Sequence, residues 1–234
     1  MRNNSPTDSI QARLDAVRQH IAEAERRHGR PPGAVTLLAV SKAWPAADIL
    51  AAVEAGQTRF GESYLQEALP KIAALPDKGL EWHFIGPIQS NKTKNIALHF
   101  DWVHGVDRLS IAERLSAQRP PHMPPLNVCL QVNVGNEPQK AGVSVKELPV
   151  LANAVAALPH LKLRGLMAIP PQADNIEEQR RAFRIVREAL ERLNGSGLAL
   201  DTLSMGMSGD MEAAIAEGAT LVRIGSAIFG ERIT

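Results

Sequence analysis

Aromatic residues, cysteine and unbalanced charge are scarce in this sequence, and each scarcity argues against a class of protein. Phe, Trp and Tyr make up 4% of the 234 residues and the formal net charge is +1, so no basic, ring-bearing surface for nucleic acid is predicted. The single cysteine, Cys129, excludes an internal disulfide framework and a cysteine-based metal site. Because Cys129 lies in the apolar run LNVCLQV, we expect a buried structural thiol.

Long apolar segments are also lacking. No uninterrupted apolar run is long enough to cross a bilayer, and the opening residues MRNNSPTDSI have no apolar core of a secretory signal. We therefore expect a soluble, cytoplasmic protein. The sequence also lacks Gly-x-Gly-x-x-Gly after a strand, a Gly-Lys-Ser/Thr phosphate loop and Gly-x-Ser-x-Gly, which argues against the common nucleotide-binding folds and serine hydrolases.

Short apolar segments alternate with helical sequence along the whole chain. An amphipathic helix over residues 8–28 comes first and is stopped by Gly29 and two prolines. Eight candidate strands follow, each leading into helical or capping sequence: AVTLLAV, TRFGE, EWHFIG, FDWVHGV, LNVCLQVNV, LKLRGLMAI, LALDTLSM and TLVRIGSAIFG. This order predicts an α/β protein, a single (β/α)8 TIM-type barrel domain over residues 1–234 with an extra N-terminal helix.

Two alternatives to this architecture remain open at this point. An open doubly wound sheet also alternates strands with helices, although it usually has fewer strands. The irregular stretch AQRPPHMPPL has the composition of a domain linker. We interpret it as a loop that enters the fifth strand, because neither half of the chain alone has enough strands to close a barrel.

In a (β/α)8 barrel, polar residues at the carboxyl ends of the strands converge on one mouth. The candidates at or just beyond such ends are Lys42, Glu62, His83, Gln89, Asn91, His104, Asn133, Ser204, Ser208 and Arg223. Lys42 is either a solvated loop lysine or, in a partly apolar pocket, an amine able to attack an aldehyde. The histidines show no paired ligand spacing, so we expect His83 and His104 to line a pocket or to be structural rather than to bind metal.

The C-terminal segment contains two loops suited to an anion. Gly206 and Gly209 flank Ser208 directly before a helix, where backbone N–H groups and the helix dipole favour negative charge. The alternative explanation is that Ser208 or Asp210 caps the helix. Gly225 and Ser226 follow the last strand, where barrels of this kind often bind phosphate.

Arg223 lies within the apolar run TLVRIGSAI, so we expect its charge to be at least partly buried. It then forms either a structural salt bridge or a hydrogen bond to a ring nitrogen or carboxylate of a ligand. An imine-forming Lys42, a deep arginine and a phosphate site together suit a phosphorylated aldehyde such as pyridoxal 5'-phosphate (PLP).

Five motifs carry a resemblance to a known family: AVSKAWP, RFGESYLQEA, WHFIGPIQSNKTKNI, GLMAIPP and LSMGMSGDMEAAIAEGATLVRIGSAIFG. In this order they resemble the YggS/PROSC family of pyridoxal phosphate homeostasis proteins. The resemblance implies a fold-type III PLP-binding barrel, similar to the N-terminal domain of alanine racemase, with PLP held as a Schiff base on Lys42. It further implies Ser208, Gly225 and Ser226 around the phosphate, Arg223 near the pyridine nitrogen, and Met205, Gly206 and Met207 as the wall and backbone of the phosphate loop.

Three positions depart from the family pattern. Ser63 stands where the family usually has Asn, Gly105 where it has Ser, and Ile88 where Leu is common. The first two changes put in doubt any contact that relatives make near the mouth with those side chains.

The resemblance implies a monomeric cofactor carrier without established turnover, with PLP-dependent apo-enzymes as expected partners. Racemisation needs a second acid/base group opposite the lysine, which alanine racemase takes from a further domain. This sequence ends at Thr234, and its only tyrosine is Tyr64. A small PLP-dependent racemase or lyase is the alternative, and a barrel enzyme that takes a phosphorylated substrate without a cofactor is a third reading.

Overall fold

Eight parallel strands form the wall of a closed barrel in the computed structural model, which describes residues 9–76, 78–135, 141–173 and 175–231. The strands are β1 Thr36–Val40, β2 Arg59–Glu62, β3 Glu81–Phe84, β4 Trp102–Val106, β5 Leu126–Val132, β6 Leu161–Ala168, β7 Thr202–Ser204 and β8 Leu221–Ile224. Each strand pairs with its sequence neighbours, and β1 also pairs with β8. The predicted (β/α)8 barrel is therefore confirmed over the open sheet.

Helices cover the outside of the barrel. They are α1 Ile10–Arg27, α2 Ala46–Glu54, α3 Leu65–Ala74, α4 Thr93–His99, α5 Leu109–Gln118, α6 Leu148–Ala156, α7 Ile176–Gly195, α8 Met211–Ala216 and α9 Ser226–Phe229. A short 3-10 turn precedes α4. None of the helices in the described ranges combines the length and apolar character needed to cross a bilayer.

The extra N-terminal helix is present as α1. The hydroxyl of Ser9 accepts a hydrogen bond from the backbone N–H of Ala12, which fixes the start of the helix. The apolar side chains at helical spacing, Leu14, Val17 and Ile21 among them, are buried where α1 packs on α2, α8 and α9. Residue 8, the predicted first residue of this helix, lies outside the described residues.

The irregular stretch before β5 is a loop tied to the barrel. Arg119 is buried there and donates hydrogen bonds to the backbone carbonyls of Ala97, Phe100 and Pro124 at 2.7 to 2.8 Å. These bonds satisfy both a buried cation and three carbonyl groups. The stretch therefore leads into the fifth strand as a loop held by hydrogen bonds.

The barrel closure determines which residues meet at the mouth. In the β1–β8 pairing, Leu38 lies opposite Arg223 and Ala39 lies opposite Ile224. Residues just beyond β1 and β8 therefore emerge side by side, although they come from opposite ends of the sequence. Cys129 on β5 is fully buried, as expected, and burial raises the pKa of its thiol to about 12.

Candidate functional site

A cavity of about 440 Å³ lies at the carboxyl ends of the strands, and most of the predicted site residues line it. The structure brings together six of them in this one cavity: Lys42, Met207, Ser208, Arg223, Gly225 and Ser226. The side chains of Trp44, Ile85 and Ile169 add apolar walls. The cavity therefore combines one primary amine, one guanidinium and two Ser/Gly loops in a partly apolar setting.

The loop that carries Lys42 rests on a buried ion pair. Lys71 of α3 donates to both carboxylate oxygens of Glu62 at 2.9 and 3.0 Å and to the backbone carbonyl of Ser41 at 3.0 Å. The Ser41 hydroxyl donates to Glu62 at 2.6 Å. Glu62 is fully buried, and this burial raises the pKa of its carboxyl despite the hydrogen bonds from Ser41 and Lys71. Glu62 thus lies beneath the Lys42 loop and is not among the residues that line the cavity.

The turn after β1 is strained at Ala43. This residue has a φ of 67°, in the left-handed region that alanine rarely adopts. Its N–H donates to the Glu67 carboxylate at 3.0 Å, and the N–H of Trp44 donates to the Ser41 carbonyl at 3.0 Å. These bonds hold a tight turn that fixes the backbone on either side of Lys42. No residue type in the sequence signals this conformation.

Trp44 links the Lys42 loop to the last helix. Its ring stacks on that of Phe229 in α9 with centroids 5.8 Å apart. The contact joins the loop after β1 to the segment after β8, so that both sides of the cavity are packed as one unit.

Arg223 is held from two sides at the floor of the cavity. One terminal nitrogen donates to the Ser204 carbonyl at 2.6 Å and to the Ser204 hydroxyl at 2.8 Å, and the other donates to the Ala168 carbonyl at 2.9 Å. Burial lowers the pKa of Arg223 to about 10, so the guanidinium stays charged at neutral pH. Within the described chain, no carboxylate lies within ion-pair distance of Arg223 and no group accepts from its Nε. Of the two alternatives for this residue, the structural salt bridge is therefore not found there.

The two Ser/Gly loops have the form expected of an anion site. The Asp210 carboxylate accepts from the Met207 N–H at 2.6 Å and closes the turn that presents Ser208. Ser208 does not cap α8, whose N-cap is Asp210 without a side-chain capping bond. Ser226 begins α9, where first-turn N–H groups have no intrahelical partner.

The glycines in these loops allow close backbone approach. A Cβ on Gly225 would lie 3.2 Å from the Val40 carbonyl oxygen, so a side chain there would crowd β1. Gly206 has a φ of 99°, and a Cβ there would lie 2.7 Å from the Ala214 Cβ. Met205 and Gly206 are buried behind the loop, and the cavity lining in the described residues does not include them, whereas Met207 is 40% exposed at the rim.

The departures from the family pattern fall in different places. Ser63 lines the cavity, so the shorter side chain alters the mouth itself. Gly105 instead lies within β4, where a Cβ would come 2.9 Å from the Gly86 carbonyl oxygen. A serine at this position requires the neighbouring backbone to shift. Ile88 is buried.

The remaining candidates do not join the cavity. His83 and His104 are fully buried inside the barrel and hydrogen-bond each other, so the structural expectation holds for them. Gln89 and Asn91 line a neighbouring cavity with Tyr64, which is 55% exposed. In the described ranges, no cluster of three or more His, Cys, Asp or Glu side chains is arranged to hold a metal ion.

The cavity is poor in acid/base groups. Among the described residues that line it, Lys42 and Arg223 are the titratable side chains, and no carboxylate, imidazole or phenol joins them. A lysine and an arginine that line one cavity with two Ser/Gly loops at the mouth of a (β/α)8 barrel are the arrangement that the resemblance to barrels like the N-terminal domain of alanine racemase implies.

Comparisons with known proteins identify the family. Residues 12–233 match the family model of the alanine racemase N-terminal domain. The pyridoxal phosphate homeostasis protein of Pseudomonas aeruginosa is 59% identical over 224 residues, covering 96% of both chains. That of Escherichia coli K12 is 52% identical over 228 residues, covering 96% of this chain and 97% of the relative. The structure of PipY from Synechococcus elongatus PCC7942 with PLP bound has a TM-score of 0.81 and 38% identity, covering 94% of this chain and 100% of PipY.

The chain therefore belongs to the alanine racemase N-terminal domain family and, within it, to the pyridoxal phosphate homeostasis proteins. The family predicted from the five motifs is confirmed.

Proposed function

We propose that this protein binds PLP and serves in intracellular PLP homeostasis, with PLP held as a Schiff base on Lys42. One observation carries the proposal: a single cavity brings Lys42, Arg223 and the two Ser/Gly loops together. These groups match the three polar parts of the cofactor, which are its aldehyde, its ring nitrogen and its phosphate. The names of the relatives and the PLP in the PipY structure support the same assignment.

The residues of the cavity fit the cofactor in chemical type and in order. We assign the phosphate to Ser208, Gly225 and Ser226, where hydroxyl and backbone N–H donors surround space left free of side chains. The backbone of Met205, Gly206 and Met207 shapes this loop from behind. The apolar side chains of the cavity wall shield the ring from water.

Arg223 faces the pyridine nitrogen in this assignment. The terminal nitrogens make three hydrogen bonds to protein acceptors, which leaves the Nε–H and one N–H of the second terminal nitrogen to donate to a ligand. When bound, PLP supplies an electrophilic aldehyde and an aromatic electron sink. A cationic donor at the ring nitrogen disfavours protonation of that nitrogen and so weakens the electron sink.

We infer a carrier rather than an enzyme. Racemisation and related chemistry need an acid/base group on the face of the substrate opposite the lysine. Apart from Lys42 and Arg223, the described lining of the cavity offers no titratable side chain. We therefore propose a cytoplasmic, monomeric, single-domain protein over residues 1–234 that holds PLP and supplies it to PLP-dependent apo-enzymes.

Absorbance spectroscopy of the purified protein tests the site. The wild type should bind PLP with a visible absorbance that borohydride reduces, and the reduced pyridoxyl group should map by peptide mass spectrometry to Lys42. Lys42→Ala should lose both signals, while Lys94→Ala, at an exposed position on α4, should keep them. Retention of the reducible chromophore in Lys42→Ala would show that the assignment is wrong.

A second assay tests the absence of turnover. The PLP-loaded protein is incubated with each enantiomer of alanine, serine and threonine, and the products are separated by chiral chromatography. We expect no loss of substrate and no inversion above a Lys42→Ala control. Robust, Lys42-dependent racemisation or cleavage would instead support the racemase or lyase alternative.

A further inference from the structure

A line of hydrogen bonds runs through the barrel interior to Arg223. Glu81 bonds His83 Nε2 at 2.8 Å, His83 Nδ1 bonds His104 Nε2 at 2.9 Å, and His104 Nδ1 bonds the Ser204 hydroxyl at 2.8 Å. The Ser204 hydroxyl in turn accepts from Arg223 at 2.8 Å. Both imidazoles are fully buried in a region that barrels of this type usually fill with apolar side chains.

The line begins on the face of the barrel opposite Lys42. Glu81 is the first residue of β3, and it lines a cavity of about 400 Å³ formed where several strands begin. Its side chain is 37% exposed. The line therefore connects a carboxylate at the N-terminal mouth with a guanidinium at the C-terminal mouth.

One arrangement of protons satisfies every bond in this line. Arg223 donates to Ser204, so the Ser204 hydroxyl is free to donate to His104 Nδ1. A neutral His104 then donates from Nε2 to His83, and a neutral His83 donates from Nε2 to Glu81. Burial lowers the pKa of both histidines, and the hydrogen bond from His83 lowers the pKa of Glu81 to about 2. All donors thus point from the arginine toward an ionised carboxylate.

We propose that Glu81, His83, His104 and Ser204 form a positioning relay that aims Arg223 at the ring nitrogen of the cofactor. The inference rests on the proposed PLP site. It explains why polar side chains occupy the barrel core.

The relay orients charge and does not transfer a proton. Moving a proton along it from Arg223 to Glu81 would pass it from a group with a pKa of about 10 to one with a pKa of about 2. The equilibrium for that transfer is strongly unfavourable. The relay acts instead by fixing the rotamer of Ser204 and, through it, the plane of the guanidinium.

Variants at Glu81 test the relay without touching the cofactor site, because Glu81 lies at the opposite mouth. Glu81→Ala removes the charge, the acceptor for His83 and the ion pair with Arg59, whereas Glu81→Gln loses the charge but keeps an amide oxygen that can accept from His83. The matched control is Asp201→Asn, a carboxylate that lines the same cavity and pairs with Arg164 outside the relay.

The measurements are the NMR shift of the isotopically labelled ring nitrogen of bound PLP and the PLP dissociation constant. We expect Glu81→Ala to move the resonance and weaken binding about three- to tenfold, with Glu81→Gln intermediate. Asp201→Asn should match the wild type. Thermal denaturation checks that each variant is folded.

The outcomes separate the relay from the PLP site itself. If wild type binds PLP through Lys42 but Glu81→Ala leaves the ring-nitrogen shift unchanged, the relay is refuted and the site stands. Equal effects of the Glu81 and Asp201 variants also refute the relay, because they indicate a general effect of the lower cavity. If the wild type does not bind PLP through Lys42, the PLP site itself is refuted instead.

Discussion

Replacement of Lys71 by methionine tests the support beneath the Lys42 loop. Lys71→Met keeps the length of the side chain but leaves the fully buried Glu62 carboxylate with only the Ser41 hydroxyl as a partner. Removing one partner of a buried ion pair costs about 3–5 kcal/mol, and the remaining hydrogen bond favours the lower end. A loss of about 3 kcal/mol moves the urea midpoint by about 1 M for a protein of this size.

The loss should depend on pH in a defined direction. Burial already raises the pKa of Glu62 above its ordinary 4.5, and removal of Lys71 raises it further. A carboxyl with a raised folded-state pKa binds its proton more tightly in the folded protein. Its contribution to the free energy of unfolding therefore falls as pH rises from the unfolded-state pKa through the folded-state pKa. The destabilisation by Lys71→Met should be larger at pH 8 than at pH 5.

Urea unfolding followed by circular dichroism at both pH values measures the effect. Lys94→Met, at an exposed position on α4, should change the free energy of unfolding by less than about 0.5 kcal/mol. The double variant Glu62→Gln with Lys71→Met should recover part of the loss, because no unpaired charge remains buried. A loss below about 1 kcal/mol, or an equal loss at the two pH values, would refute the reasoning.

Three further predictions concern backbone strain and burial. Ala43→Gly should raise the free energy of unfolding by about 0.5–1 kcal/mol in urea titrations, because glycine relieves the positive φ of 67°; a loss would show that the turn carries no strain. Gly206→Ala should lower the free energy of unfolding by about 2–4 kcal/mol, because the new Cβ would lie 2.7 Å from the Ala214 Cβ. The control Gly209→Ala should be nearly neutral, because no atom lies within 4 Å of its new Cβ. Similar costs for the two variants in urea titrations would contradict this account. Cys129 should resist a thiol reagent at pH 8 until the protein is unfolded, because the thiol is fully buried with a pKa of about 12; rapid labelling of the native protein would be inconsistent with the packing.

The sequence predicts features that depend on local pattern. Strand-then-helix alternation was enough to predict the barrel, and the proline and glycine around the second helix place it within a few residues of Ala46–Glu54. The positions of Lys42 and of the Ser/Gly loops follow from the same rule about strand ends.

The sequence does not predict features that exist only after the elements pack. The Glu62–Lys71 pair joins a strand to the next helix, and no spacing rule distinguishes it from other charges nearby. His83 and His104 were expected at strand ends, yet both lie within strands with their rings inside the barrel. The left-handed conformation of Ala43 has no signal at all, because its cost is offset by tertiary hydrogen bonds to the turn.

The pairing of the first strand with the last has a kinetic consequence. Lys42 follows β1 and Arg223 lies in β8, and the register between these strands forms only when the barrel closes. Contacts of such large sequence separation are slow to form, and they require nearly the whole chain to have left the ribosome. A nascent chain with only its first strands folded already contains Lys42 but has neither Arg223 nor the two Ser/Gly loops beside it. For the proposed PLP site, capture of the cofactor is thereby tied to completion of folding, so that a truncated or half-made chain presents only an ordinary lysine.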